Sequence, residues 1–200
     1  MKRPRPMTSR EFERLLRRRT ARNAAATDRA ILGRTETDLA ILMCDSSGFT
    51  RRTHEEGILH FLSVLAKAYD RVLPCIDRHG GTALSHRADN ILAVFPDAAA
   101  AVKAAVSMQR TLQRMSARRP RPERLKICIG IDAGRVVRLA DDVFGACVNI
   151  ASKLGEDTAG ADEILVTAEV ARRAKGAARF SYARSTEMGG RSFELYRVRY

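Results

Sequence analysis

The chain of 200 residues contains no apolar run long enough to cross a membrane. A spanning helix needs about 20 consecutive apolar residues, and the longest candidate, ILHFLSVLA, is interrupted by His60 and Ser63. The basic opening MKRPRPMTSREFER is followed by no apolar stretch of the kind a secretion signal carries. These two absences predict a cytoplasmic protein. Cysteine is scarce and scattered: Cys44, Cys75, Cys128 and Cys147 form no C-x-x-C pair and have no histidine at ligand spacing. That argues against a disulfide framework and a zinc site, and predicts four buried thiols. There is no internal repeat, and no low-complexity tract beyond short alanine runs.

What is present suits one well-cored domain with a short extension, since 45% of the residues are hydrophobic. Charge divides the chain in the same place. Residues 1–34 carry eleven Lys or Arg against three Asp or Glu, a net of +8 out of the total of +13. This arm is read as partly helical, with Ser9 capping a short basic helix. Its RLLRRR run suits nucleic acid or an anionic surface by charge alone, because no aromatic residues interleave it to stack bases. Residues 35–200 form the domain proper.

The pattern changes at Asp38. DLAILMC reads as a buried strand, and the stretch from His54 to Gly81 as one long helix with Ile58, Leu62, Leu65, Tyr69, Val72 and Ile76 on its apolar face. TALSHR and NILAVF are two short strands in a tight hairpin with Asp89 at its tip. Asp97 opens a second helix, and RRPRPERL is a loop broken by Pro120 and Pro122. KICIGID and RVVRLA follow as strands around Gly134; ACVNIASKLGED is a third helix; EILVT, RFSYARS and FELYRV are later strands. Strand, helix, strand, strand, helix, strand is the split βαβ order, so the predicted class is α+β, a ferredoxin-like βαββαβ core with additional C-terminal strands. That topology sets the end of the first strand beside the tip of the hairpin. Asp45 and Asp89 then face each other, and two such carboxylates repel unless they share a proton or a cation. A divalent metal is the natural occupant.

ILMCDSSGFT and GGTALSHRADNILAVF resemble the opening and hairpin motifs of the class III adenylyl and guanylyl cyclase catalytic domain, and LKICIGIDAGRVV and DDVFGACVNIASKL resemble its two later motifs in the same order. The resemblance implies that the 3′ hydroxyl of a nucleoside triphosphate attacks its own α-phosphate and pyrophosphate leaves. It implies two Mg²⁺ or Mn²⁺ ions per site on Asp45 and Asp89. Ser46, Ser47, Gly48, Phe49 and Thr50, between strand and helix, are placed to cradle the triphosphate on backbone N–H groups. Asn149 orients the ribose, and four residues on, Lys153 stands where the family has an arginine that stabilises charge on the phosphate; lysine keeps the charge without the planar fork. Of the pair that reads adenine, the acidic position holds Asp142 and the lysine position holds Ser85. An aspartate accepting from the adenine amino group favours ATP. Arg191 falls near a family position that contacts the triphosphate. At the hairpin tip, ADN replaces the usual glycines, and Asn90 is expected to take the positive φ the turn needs. The family also implies a homodimer with shared active sites. Two alternatives stay open on these residues: a degenerate domain that binds nucleotide or a partner without turnover, and a cyclase for GTP or a pyrimidine nucleotide.

Overall fold

A computed structural model describes residues 5–117 and 125–200; the loop expected around Pro120 and Pro122 lies outside the described residues. The chain begins with two helices, α1 (Ser9–Arg18) and α2 (Ala24–Thr35), and then enters the first strand, β1 (Glu36–Ser46). There follow α3 (Phe49–Glu56), α4 (Ile58–Arg78), the hairpin β2 (Thr82–Arg87) and β3 (Asn90–Phe95), α5 (Ala98–Ser116), β4 (Ile127–Arg138), the two-residue β5 (Val143–Phe144), α6 (Ala146–Ser152) running into a π-helical stretch at Lys153–Thr158, β6 (Ile164–Thr167), α7 (Ala168–Arg173), and the closing hairpin β7 (Arg179–Met188) and β8 (Arg191–Arg199). The strands form one sheet in the order β2-β3-β1-β4-β6-β8-β7, with β5 on β4. β4 and β6 are parallel and the other pairs antiparallel. This is the expected α+β class with its C-terminal strands.

Four expectations on the elements are corrected. The cap of α1 is Thr8, whose side chain accepts from the Glu11 N–H, and Ser9 is the first helical residue. The long helix is two helices, because Gly57 adopts φ +85 with an extended ψ and turns the chain between Glu56 and Ile58. Of its predicted apolar face, Leu65, Val72 and Ile76 are buried together with Phe61, Ala68 and Cys75, whereas Ile58, just past the break, is 48% exposed. The strands around Gly134 are one strand, since β4 pairs without interruption with the whole of β1. The third helix changes to π-helical geometry at Lys153. By contrast, Asp97 caps α5 as expected, accepting from the Ala100 N–H at 2.8 Å.

The main core lies between one face of the sheet and α4, α5 and α7; full burial of a side chain such as Phe61, Leu65 or Ile129 contributes about 1.5–3 kcal/mol. A smaller apolar cluster on the other face joins Ile41, Met43, Val94 and Val136 to Cys147 and Ala151 of α6. All four cysteines are buried free thiols. Among the described residues, no helix is long and apolar enough to cross a membrane.

α6 can lie against β1 and β4 only because two glycines meet there. A Cβ on Gly130 would come within 2.4 Å of the Ala151 carbonyl and the Gly155 nitrogen, and one on Gly155 within 2.6 Å of the Met43 carbonyl. Backbone packs directly on backbone at this crossing.

Candidate active site

The sheet has two ends that carry different groups. β1 rises from Glu36, opposite Val137, to Asp45, opposite Cys128 at the start of β4. Side chains alternate along the strand, so Cys44 enters the helix-covered core and Asp45 stands on the opposite face. Next to it, Ser46 is buried and its Oγ donates to Asp89 Oδ2 at 3.1 Å. The topology therefore brings Asp45, Ser46 and Asp89 together, 43 residues of sequence separating the hydrogen-bonded pair.

The positive φ at the hairpin tip falls on Ala88, at φ +49, and not on Asn90. Tyr69, from α4, donates to the Ala88 carbonyl at 2.8 Å and holds this turn in place. Asn90 is freed for another contact: its Nδ2 donates to Glu156 Oε1 at 3.1 Å, while its Oδ1 is buried with no partner among the described residues. The acceptor-only carboxylate of Glu156 sets which way the amide faces. Burial, then the adjacent Asp89, and more weakly Glu156, push the Asp45 carboxyl up to about 7. Burial, then Asp157 and Asp89, raise Glu156 as well.

Crowded carboxylates and an orphaned amide oxygen make an all-oxygen donor set, and such donors suit Mg²⁺ or Mn²⁺. The residues present fit a divalent cation. Among the described residues, no three His, Cys, Asp or Glu side chains converge at metal-holding geometry, so a cation here would take its remaining coordination positions from other oxygens.

Beyond Ser46 the chain turns sharply. The Ser47 N–H donates to the Lys126 carbonyl at 2.9 Å, and Gly48 takes φ +82, a left-handed conformation that favours glycine, immediately before α3. The Phe49 ring packs edge-on against Phe61 at 5.5 Å, so its side chain serves the core and its backbone N–H and that of Thr50 open the helix. Arg52, one turn on, is buried over the same Phe61 ring at 4.6 Å and paired with Glu56.

α6 starts beside Arg135 and Val136, and its π-helical continuation reaches Met43 and Gly130 near the carboxylates. Asn149 is exposed on it, and Lys153 donates to Asp157 Oδ2 at 3.1 Å. Ser85 pairs with Leu92 on the α6 side of the sheet.

Asp142 and Arg191 lie at the other end. Asp142 is in the turn after β4, its backbone carbonyl accepting from the Leu139 N–H at 2.8 Å and its Oδ1 from the Val143 N–H at 2.8 Å. Ten strand residues, roughly 33 Å, separate Cys128, the partner of Asp45, from Arg138, the partner of Val143. β8 runs antiparallel to β6, which starts near the carboxylates, so Arg191, at the beginning of β8, shares the Asp142 end. Within one chain the two sets stay at opposite ends of the sheet.

Sequence reasoning missed Glu156, Tyr69 and the orphaned Asn90 oxygen. The partners of Glu156 and Tyr69 are 66 and 19 residues away, the Asn90 oxygen has none among the described residues, and no local pattern marks them.

Residues 34–198 match the family described as the adenylate and guanylate cyclase catalytic domain, and the chain belongs to that family. It is 30% identical over 138 residues to the serine/threonine-protein kinase pkn2 of Myxococcus xanthus, a match covering 66% of this chain and 16% of that protein. It is 26% identical over 116 residues to a putative adenylate cyclase 3 of Rhizobium meliloti (strain 1021), covering 58% of this chain and 20% of that one. The chain thus spans about a fifth or less of the length of these curated relatives. Among solved structures, an adenylate/guanylate cyclase/hydrolase from Silicibacter pomeroyi superimposes with a TM-score of 0.70 at 26% identity, over 82% of this chain and 96% of that one.

Proposed function

We propose that the protein is a nucleotide cyclase that converts ATP to cyclic AMP and pyrophosphate as a homodimer with two shared active sites. The observation that carries this reading is the division of the chain: Asp45, Ser46 and Asp89 at one end of the sheet, Asp142 and Arg191 at the other. In a two-fold dimer each nucleotide lies between the carboxylate end of one chain and the α6 face of its partner. Leu84 and Leu92, half-buried beside α6, are consistent with a covering copy on that face.

Asp45 and Asp89 hold the divalent cations, which when bound lower the pKa of the attacking hydroxyl and neutralise phosphate charge. The turn at Gly48–Thr50 offers N–H groups to the triphosphate, the Ser47 N–H being held by the Lys126 carbonyl. Asn149 orients the ribose so that its 3′ oxygen bonds to the α-phosphorus as the bond to pyrophosphate breaks; the hydroxyl proton is given up to water. Lys153 places a positive charge beside the phosphates, and must leave Asp157 to do so. Asp142 accepts from the adenine amino group and would meet the guanine carbonyl acceptor to acceptor. Arg191 stands at the triphosphate.

The test is complementation. Asp45→Ala and Asn149→Ala proteins should each be nearly inactive. Allowed to exchange subunits, they should regain roughly a quarter of the parental activity, because half of the random dimers are mixed and each has one of two sites intact. If exchange is verified with differently tagged chains and the mixture stays inactive, the shared site is wrong. A parent protein that makes neither cyclic product nor pyrophosphate from any of the four nucleoside triphosphates with Mn²⁺ would instead be a binding domain.

A further inference from the structure

The basic arm is not a free appendage. Met7 is fully buried, and its carbonyl accepts from the Ala140 N–H at 2.7 Å. Ser9 donates twice to Asp141 Oδ1, from its backbone N–H at 3.0 Å and its hydroxyl at 2.8 Å. Phe12 stacks on Phe144 with ring centroids 5.6 Å apart and an interplanar angle of 22°. Three residues of the arm therefore grip positions 140, 141 and 144, on both sides of Asp142.

The arm is itself braced. Arg34 pairs with Glu11 at 2.7 Å and Arg19 with Asp28 at 2.6 Å, which ties α1 to α2 and to the turn between them. Ile31 and Thr35 of α2 are buried where the chain enters β1. Asp142 has no comparable support of its own: besides the contacts within its turn, its carbonyl accepts from the Arg138 side chain at 3.1 Å.

We propose that the arm is a positioning clamp, in which Ser9 and Phe12 fix the turn 139–144 so that the Asp142 carboxylate is held ready for the base. This rests on the reading of Asp142 as the base acceptor. A short turn of this kind samples several conformations unless its flanks are tied, and one hydrogen bond aimed at a base discriminates only while its acceptor is held in place. The clamp makes the arm a determinant of nucleotide preference without touching the nucleotide.

The experiment uses the full chain carrying Ser9→Ala with Phe12→Ala, alongside Ser9→Thr, Asp142→Ala, and Arg17→Ala as a control on an exposed arginine of the same helix that pairs with Glu13. Two quantities are read: kcat/KM for ATP against GTP, and hydrogen exchange of residues 139–144. The double variant should lose roughly three- to tenfold of its ATP preference, chiefly through KM, with faster exchange in 139–144 and unchanged exchange in β1 and the β2–β3 hairpin. Ser9→Thr and Arg17→Ala should behave as the parent, and adding the double change to Asp142→Ala should cost no further preference, since the two act through one group. Equal losses for both nucleotides that follow thermal stability would overturn the clamp, as would an unchanged preference. If Asp142→Ala shifts the preference and the double variant does not, the clamp alone is wrong; if Asp142→Ala leaves it intact, the base reading fails and the clamp with it. Should the parent turn nothing over, the same ratio is read from binding of fluorescent ATP and GTP analogues, with the same outcomes deciding.

Discussion

The two ends of the sheet are built on opposite principles. At the carboxylate end the groups press on one another: Ser46 bonds Asp89, Glu156 orients Asn90, and burial together with the adjacent Asp89 drives Asp45 up to about 7. At the arm end they stand apart, with Asp142 bonded within its own turn and to the Arg138 side chain, and Arg191 exposed on a hairpin tip. The first end gathers carboxylates that repel one another; the second carries an acceptor and a donor a strand's length away. On the proposed reading the chemistry belongs to the first end and the selectivity to the second, so the two should be separable by mutation.

The largest expected effect is at the carboxylate end. Asp45→Ala should lower turnover by about a thousandfold or more, since a site relying on a cation for transition-state charge loses several kcal/mol without it. Mn²⁺ binding to the nucleotide-free protein, followed by the loss of free-Mn²⁺ paramagnetic signal, should fall with it; wild-type affinity in this variant would remove Asp45 from the metal site. Next is the shared scaffold. Gly155→Ala should destabilise the fold by about 1–3 kcal/mol, because the new Cβ would sit 2.6 Å from the Met43 carbonyl. Denaturant unfolding reads this, and an unchanged midpoint would mean the helix can shift away freely.

Smaller is the change at the arm end. Asp142→Ala should reduce the preference for ATP over GTP about tenfold, the worth of one polar contact in a closed pocket, while Mn²⁺ binding stays at the parental level. Loss of metal binding here would erase the separation between the ends. Smallest is Asn90→Ala, which should weaken Mn²⁺ binding by a few-fold by removing the oxygen that Glu156 orients. Titration of the nucleotide-free protein checks it, and an unaltered curve would make the orphaned oxygen incidental.

Several of the broken expectations share one cause. Gly57 was a lone glycine in a helical pattern, Gly134 a lone glycine in a strand pattern, and only the first of them breaks its element. What separates them is tertiary: β4 is pinned by pairing along its length with β1, so Gly134 stays extended, whereas nothing pairs across Gly57. The Asn90 and Ala88 exchange has the same origin. Local preference favours asparagine at positive φ, but Tyr69 captures the Ala88 carbonyl and Glu156 takes the Asn90 amide, and together they move the strained position two residues back.

The sequence by itself determined the class of fold, the order of its strands, the apolar face of α4 from Leu65 to Ile76, and the meeting of Asp45 with Asp89, because each follows from periodicity and from a topology that two short loops enforce. It also marked the basic arm, through charge alone. Only the tertiary structure decided what the arm does with Met7, Ser9 and Phe12, that the Asn90 amide oxygen is buried without a partner among the described residues, how closely α6 approaches the sheet through Gly130 and Gly155, and that Asp142 and Arg191 lie a strand's length from the carboxylates. The first set depends on neighbours in the chain and on hydrophobic burial, which any window of sequence displays. The second depends on single contacts between residues from 19 to 133 positions apart, whose geometry exists only once the sheet has closed.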